Sequence, residues 1–465
     1  MKHCQYLLWF AHEHVPFRLL EIESIASVLK IPIKWLEPPS DKPWYLVELP
    51  SDKEVQMISE RSVTMRRAIH VWADELTVPN LHESLKQKCL KGILEPYQLQ
   101  SFKVDVDLFC NSQTQQEKLK RIESFSYMPF GGPVNLSNPD VTFQFIEYYG
   151  LDANIVPEQP LRTFFGRVVA ESGRTLIHKL SLKKRKFIGN TSMDPQLSLL
   201  MANLGKVSDG DLVLDPFVGS GSLLVAAATF GGYVLGTDID FLMLHGRTRP
   251  TRKQTRHIAR QDESVRANME QYSCADKYID VIVADSSLPC WRDNLEFDCI
   301  ITDPPYGIRE PTIRIGAKDN LPVLKKEGTP VHFPSKVEYG LNEIIKDLMC
   351  FSSRKLKLNG RLLFWLPVFR EEYEDVQMPK HSCFKSIGNC EQVLTTFTAR
   401  RLLVYEKIKS PEETDECRCT IPTASTFREK YFTHGNENRL TRKQKKEQAA
   451  KNKDIWFAKL KEMEV

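Results

Sequence analysis

Asp303-Pro304-Pro305-Tyr306 carries the most specific chemistry in the chain. The exocyclic amine of a base is a weak nucleophile, because its lone pair is drawn into the ring. A catalyst that methylates it must hold the nitrogen in line with the donor carbon. The Asp303 carboxylate can accept one N–H, and a backbone carbonyl, that of Pro304, can accept the other. Two prolines fix φ and stiffen the turn. Tyr306 offers a flat face on which an extruded base can stack. Positioning and hydrogen bonding then supply most of the acceleration. Attack on cytosine carbon 5 would call for a Cys nucleophile in this turn, and a ribose hydroxyl for a different set of acids and bases. Taken alone, the tetrapeptide also reads as a rigid strand-to-loop turn, so its place in the chain decides.

Upstream, Asp215-Pro216-Phe217-Val218-Gly219-Ser220-Gly221 follows an apolar run and opens a helix. Glycines there let backbone approach a ligand closely. The third glycine of a dinucleotide fingerprint would fall at Leu224, and no Lys follows Gly221, so neither phosphate-binding pattern is met. Asp215 would repel a pyrophosphate and attract a cation. S-adenosylmethionine carries an ammonium and a sulfonium and no phosphate. Asp238 ends the next strand, roughly 20 residues on, where a carboxylate accepts hydrogen bonds from ribose hydroxyls. Asp285 ends the third and could meet the adenine. Any one of these acids is an ordinary strand-end Asp; the ordered set with the glycine turn reads as a ligand site.

These residues need a frame, and the pattern predicts one. Strands are expected at 212–214, 233–235, 278–284, 297–302 and 361–368, with helices at 222–230 and 264–272. Leu341, Ile344, Ile345 and Leu348 recur at helical spacing, and Asn359-Gly360 is expected to end that helix. Segments 392–398 and 401–405 read as a closing strand pair. Strands alternating with helices predict an α/β domain over 185–409, Rossmann-like, with a mostly parallel sheet covered on both faces. The first 180 residues read as an α+β region, with short apolar runs at 44–49 and 102–109 and a helix near 115–125. Residues 410–465 form a basic tail, with Arg442, Lys443, Lys445, Lys446, Lys451 and Lys453.

The chain has 465 residues, 42% hydrophobic and 27% charged, which excludes a fibrous or largely disordered protein. The net charge of +4 does not by itself call for nucleic acid. Eleven Cys are scattered without a CxxC pair, so no metal site is expected, and reduced thiols of a cytoplasmic protein fit best. Residues 216–237 carry no charge over a membrane-spanning length, but their glycines, Pro216 and turn pattern read as a buried βαβ segment, and no membrane is expected.

With these residues in view, the chain resembles the amino-group methyltransferases with a Rossmann-like sheet. More narrowly, it resembles the catalytic subunit of the tRNA guanine-10 N(2)-methyltransferase family. The match rests on Asn190-Thr191-Ser192-Met193-Asp194-Pro195, residues 200–204, 215–221, 236–240, Val265-Arg266-Ala267-Asn268 and 303–307. The resemblance implies a THUMP RNA-binding domain in the first 180 residues, S-adenosylmethionine as cofactor and tRNA as substrate. It places Thr191, Ser192 and Met193 beside the methionine moiety, with Asp215, Phe217, Gly219 and Gly221 framing it, Asp238 on the ribose and Asp285 near the adenine. Asp303, Pro304 and Tyr306 would hold the target guanine. It also implies a heterodimer with a small zinc-binding activator subunit, adding a strand to an exposed sheet edge or covering an apolar face.

Residues 243–260 form an insertion carrying Arg249, Arg252, Lys253 and Arg256 with no acid. It reads either as an arm on RNA phosphates or as a solvated loop. Arg309, just past the Asp303 turn, is placed for a backbone phosphate near the target. His12, His14 and His70 read as surface or core residues. Trp9, Trp35, Trp44 and Trp72 read as core, with base stacking the alternative. Other readings of the same turn are an amino-methyltransferase acting on DNA adenine or protein glutamine, or a non-catalytic RNA-binding scaffold.

Overall fold

The computed structural model describes residues 4–245, 263–288, 290–316, 334–412, 417–418, 427–428 and 430–431. Arg249, Arg252, Lys253, Arg256 and the basic run 442–453 lie outside the described residues.

Seven strands build the first sheet: β1 (Cys4–Phe10), β2 (Lys34–Trp35), β3 (Trp44–Leu49), β4 (Met65–Glu75), β5 (Phe102–Phe109), β6 (Val141–Tyr148) and β7 (Arg162–Glu171). Their order is β2-β3-β1-β4-β7-β6-β5, antiparallel throughout except for β5 with β6. Side chains alternate across this sheet. Tyr6, Leu8 and Phe10 meet Ile22 and Ile25 of α1 (Arg18–Leu29) and Val55 and Ile58 of α2 (Asp52–Arg61). Leu7 and Trp9 point the other way, to Trp44, Ile69 and Phe164. Trp9, Trp44 and Trp72 are buried, so packing rather than base stacking occupies them. Trp72 packs with Leu81 and Leu85 of α3 (Val78–Leu90). The expected helix near 115–125 is α4 (Gln115–Glu123), started by a Thr114–Glu117 capping box.

After α5 (Thr175–Lys179) and α6 (Pro195–Leu204), the second sheet begins. Asp194 caps α6, with Pro195 at its first position. Strands β8 (Leu212–Asp215), β9 (Tyr233–Asp238), β10 (Tyr278–Val283) and β11 (Phe297–Thr302) alternate with α7 (Ser222–Thr229), α8 (Phe241–Leu244) and α9 (Val265–Gln271). Beyond the carboxyl edge, β12 (Ile313–Ile315) pairs with β13 (Lys336–Glu338). Then come α10 (Leu341–Lys355), β14 (Leu356–Phe369), β15 (Lys380–His381), β16 (Phe384–Val393), β17 (Thr398–Lys407) and β18 (Cys417–Arg418).

The sheet order is β10-β9-β8-β11-β14-β17-β16. The first five strands run parallel, and β17 and β16 are antiparallel additions. Both faces are covered, as parallel strands require. Val213, Ile301, Leu363 and Trp365 face α6, α7 and α9, while Leu214, Ile300, Leu362 and Phe364 face α10. The uncharged stretch 216–237 is the turn after β8, then α7 and β9. Among the described residues no helix is long and apolar enough to cross a membrane.

Two sheet expectations are corrected. Asn359-Gly360 does not end α10, which stops at Lys355 and passes directly into β14. The positive φ of Asn359 serves an irregularity inside that strand, where Leu356 pairs with Phe297 and Arg361 with Cys299. Residues 394–397, expected in a strand, form the turn between β16 and β17. The Leu394 and Thr395 N–H groups both donate to the Thr398 carbonyl, at 3.0 Å each, and the Thr395 and Thr398 hydroxyls meet at 2.7 Å. That local hydroxyl bonding outweighs strand propensity.

The two sheets share one core. Phe17, Leu20 and Val63 pack among the α6–α7 residues. A buried polar seam fixes the contact. Glu21 accepts from Ser62 Oγ at 2.8 Å and from Asn203 Nδ2 at 2.9 Å, Arg61 Nε donates to Asn203 Oδ1 at 2.8 Å, and Arg361 Nη1 to Ser24 Oγ at 2.9 Å. Each buried polar group there is satisfied by a partner from another element, which specifies the docking angle.

Candidate active site

The carboxyl edge of the second sheet opens into a cavity of about 500 Å³. It lies where ligands settle in open α/β sheets. Its floor starts at Asp215. Oδ1 accepts from Thr302 Oγ1 at 2.7 Å and from the Phe217 N–H at 3.0 Å, leaving Oδ2 to the cavity. Burial pushes this carboxyl up to about 7, with the nearby Asp238 and Asp303 charges adding to the effect.

The turn after Asp215 needs its two glycines for different reasons. Gly219 has φ +50°, and a Cβ there would meet nothing within 4 Å, so its backbone lies open to the cavity. Gly221 has φ +77°, and a Cβ would press on Val265 Cγ1 at 2.6 Å. Gly221 thus packs the turn against α9, one residue from Ser220 on the cavity wall. The Gly219 N–H donates to Asp238 Oδ2 at 2.9 Å, and the Asp240 N–H to Asp238 Oδ1 at 2.9 Å. Each carboxylate oxygen has two acceptor sites, so Asp238 keeps capacity for further donors. Burial raises its pKa. Asp285 accepts from the Ser287 N–H at 2.8 Å and the Ile315 N–H at 2.5 Å, tying the β12 segment to the third strand end. Thr191, Ser192 and Met193 line the same cavity, and Ser192 Oγ meets Ser220 Oγ at 2.6 Å across it.

Asp303, Pro304 and Tyr306 close the other end. The Tyr306 hydroxyl donates to Asp303 Oδ1, so this side chain also orients the acid. Arg400 Nη1 donates to Asp303 Oδ2 at 3.1 Å. Burial pushes the Asp303 carboxyl up, and the Arg400 charge and the Tyr306 hydrogen bond oppose it. Arg309 reaches the cavity lining.

Several lining residues escaped the sequence reading. Arg400, Leu394 and Thr398 come from the β16–β17 hairpin, and Phe427 and Tyr431 from the segment assigned to the basic tail. Phe427 is buried against Phe369, with ring centroids 5.0 Å apart, and Lys430 pairs with Glu372 at 2.7 Å. A buried aromatic in a polar stretch was the available signal.

Comparison with known proteins bears on this arrangement. The family model described as "Tmrp11 THUMP N-terminal domain" matches residues 4–174, and that described as "RMKL-like, methyltransferase domain" matches residues 183–321. The chain is 41% identical over 453 residues to the tRNA (guanine(10)-N(2))-methyltransferase TRMT11 of Bos taurus, covering 96% of this chain and 98% of that one. The TRMT11 protein of Homo sapiens is 40% identical over 456 residues, with 96% and 98% covered. The tRNA (guanine(10)-N(2))-methyltransferase of Saccharomyces cerevisiae is 31% identical over 445 residues, with 93% and 100% covered.

Proposed function

Because the chain belongs to the tRNA (guanine(10)-N(2))-methyltransferase family, we propose that the cavity at the carboxyl edge of its second sheet is where the exocyclic amine of guanosine 10 in tRNA is methylated, with Asp303, Pro304 and Tyr306 holding the acceptor. The observation that carries this reading is the single cavity that joins three strand-end acids to the Asp303 turn.

The residues present fit S-adenosylmethionine. Asp215 Oδ2 offers a buried anion to a ligand ammonium, and the open backbone at Gly219 leaves room beside it. Asp238 has acceptor capacity for ribose hydroxyls, and Asp285, on the same cavity, would meet the adenine. Thr191, Ser192 and Met193 border the methionine end. Bound there, the sulfonium supplies an electrophilic methyl group. The protein's part is to place the amine. Asp303 accepts one of its N–H groups, the Pro304 carbonyl the other, and the Tyr306 ring supports the base. As the amine gains positive charge, the Asp303 carboxylate stabilises it. The departing proton goes to Asp303 or to water.

The N-terminal sheet and its helices would grip the tRNA, with Arg309 on a phosphate at the cavity mouth. The cations Arg249, Arg252, Lys253 and Arg256 would add phosphate contacts. The reduced-thiol composition supports a cytoplasmic location.

We also infer a small zinc-binding activator subunit on β10. That strand ends the sheet order, and Ile279, Ile282 and Val283 on it are exposed, with Leu288 beyond it. An uncovered apolar edge strand invites pairing, and an added strand would satisfy its backbone groups and cover its side chains.

The test is methyl transfer to unmodified tRNA from labelled cofactor, with this chain alone and with the activator, followed by identification of the labelled nucleoside. Label on the exocyclic amine of guanosine at position 10 is expected. Label on adenosine, on DNA or on protein, or none under either condition, would overturn the reading.

A further inference from the structure

We propose that Arg400 is a positioning residue for Asp303: it holds the carboxylate in one orientation, so that the remaining lone pairs face the acceptor amine. This deepens the reading given under Proposed function and rests on it.

Arg400 is itself over-determined. It sits on β17, with Pro367 of β14 as register partner on one side and Gln392 of β16 on the other. Its Nε donates to Gln392 Oε1 at 2.5 Å, and its guanidinium lies 4.1 Å from the centroid of Trp365. Trp365 is fully buried, donates from Nε1 to Met201 Sδ at 3.1 Å, and lies 6.1 Å from the ring of Phe17 in the N-terminal part. The arginine side chain is only 14% exposed. From this seat Nη1 reaches across β14 to the end of β11 and binds Asp303 Oδ2 at 3.1 Å. A planar fork fixed by a hydrogen bond and an aromatic face sets direction as well as charge.

The arrangement suits an acid that must accept rather than donate. Tyr306 engages Oδ1 and Arg400 engages Oδ2, so each oxygen keeps one acceptor site. A carboxylate spinning about its bond would present those sites in several directions. The Arg400 charge also opposes the desolvation that raises the pKa of this partly buried acid. The other charged groups around Asp303 are Asp215 at the end of β8 and Asp238 at the end of β9. Arg309, Glu310, Lys336, Tyr339 and Tyr431 lie around the cavity, with Arg428 beside Gly307. His14 feels the charges of Arg400, Glu13, Asp194 and Arg174. Among the described residues, Arg400 is the cation bonded to the Asp303 carboxylate.

The experiment uses the full chain under conditions in which the wild type turns over. Arg400→Met and Arg400→Lys are compared for kcat, KM for tRNA and cofactor affinity between pH 6 and 9. For Arg400→Met, kcat at pH 7 should fall at least about tenfold, because the charge removed is the one that opposes protonation of the acid. Activity should recover in part as pH rises, up to the level of the Lys variant, with KM and cofactor affinity within about twofold of wild type. Arg400→Lys keeps the charge and loses the fork, so its acid limb should stay where the wild-type limb lies while kcat drops at every pH. If Arg400→Met cannot be obtained folded, the Lys variant and Gln392→Ala, which frees the fork without touching the cavity charge, still decide: both should lower kcat with an unmoved limb. Wild-type kcat in either would overturn the proposal. So would equal loss at every pH in the Met variant, which marks a merely structural role. A wild type that methylates no guanosine would fail the underlying functional reading, whereas an active wild type with indifferent Arg400 variants fails this inference alone.

Discussion

Asp215→Asn should make the ligand-free protein more stable while weakening cofactor binding. The acid is fully buried, and its pKa is pushed up to about 7 from the ordinary 3.8. For an acid raised in this way, the favourable contribution is fully present below pH 4 and is lost as pH rises through 7. Above pH 8 the ionised group costs about 4 kcal/mol, taking ~1.4 kcal/mol per unit over roughly three units. About 1.5 kcal/mol of this is already lost at pH 5, so about 3 kcal/mol should develop between pH 5 and 8.5. Asparagine removes the charge and keeps the geometry. Both native hydrogen bonds, from Thr302 Oγ1 and the Phe217 N–H, end on Oδ1, which the amide retains. The amide nitrogen would replace Oδ2 at the cavity side. Urea unfolding of wild type and variant at pH 5, 7 and 8.5 gives the difference directly. The variant should gain about 2–3 kcal/mol over wild type across that interval, and equilibrium dialysis should show S-adenosylmethionine affinity reduced at least about tenfold. Parallel pH profiles for the two proteins would refute the burial argument. Undiminished cofactor binding would refute the role of the carboxylate as the cation-binding floor.

Four other outcomes follow from the same structure. Asp303→Ala should abolish methyl transfer while tRNA affinity, read by filter binding, stays within about twofold; equal loss of both in a folded variant would remove Asp303 from its role. Gly219→Val should weaken cofactor binding at least about tenfold, since its side chain enters the cavity, and cost ~1–2 kcal/mol because φ is +50°; calorimetric titration beside thermal unfolding separates the two effects. Ile282→Arg, at an exposed position of edge strand β10, should stop co-elution of the activator on gel filtration and leave the circular dichroism spectrum unchanged. Replacing Arg249, Arg252, Lys253 and Arg256 with Ser should flatten the dependence of log Kd for tRNA on log salt by about 3, if all four meet phosphates; an unchanged slope returns the insertion to solvent.

Much of the site was legible because it is written in local order. Asp215 and Asp238 end β8 and β9, Asp303 directly follows β11 and Asp285 lies two residues past β10, and a parallel sheet brings successive strand ends to one edge whatever lies between them. The glycine turn and the double proline declare their backbone conformations in their own residue types. The periodic apolar runs at 44–49 and 102–109 became β3 and β5 with those bounds, because packing agreed with propensity there. Asn359-Gly360 misled for the opposite reason: the same dipeptide serves a helix end or a strand irregularity, and only the pairing of β14 with β11 chooses.

What the sequence alone determined about this protein is its chain of strand-end acids, their turns and the α/β order that collects them. What only the tertiary structure decided is which groups far along the chain complete them. Arg400 meets Asp303 across 97 positions, Asn203 meets Glu21 across 182, and Phe427 comes back onto Phe369 from a stretch that reads as polar tail. Such partners carry no motif, because a hydrogen bond or ring contact needs only proximity. Proximity here is set by two antiparallel strands laid beside β14 and by one core shared between the two sheets.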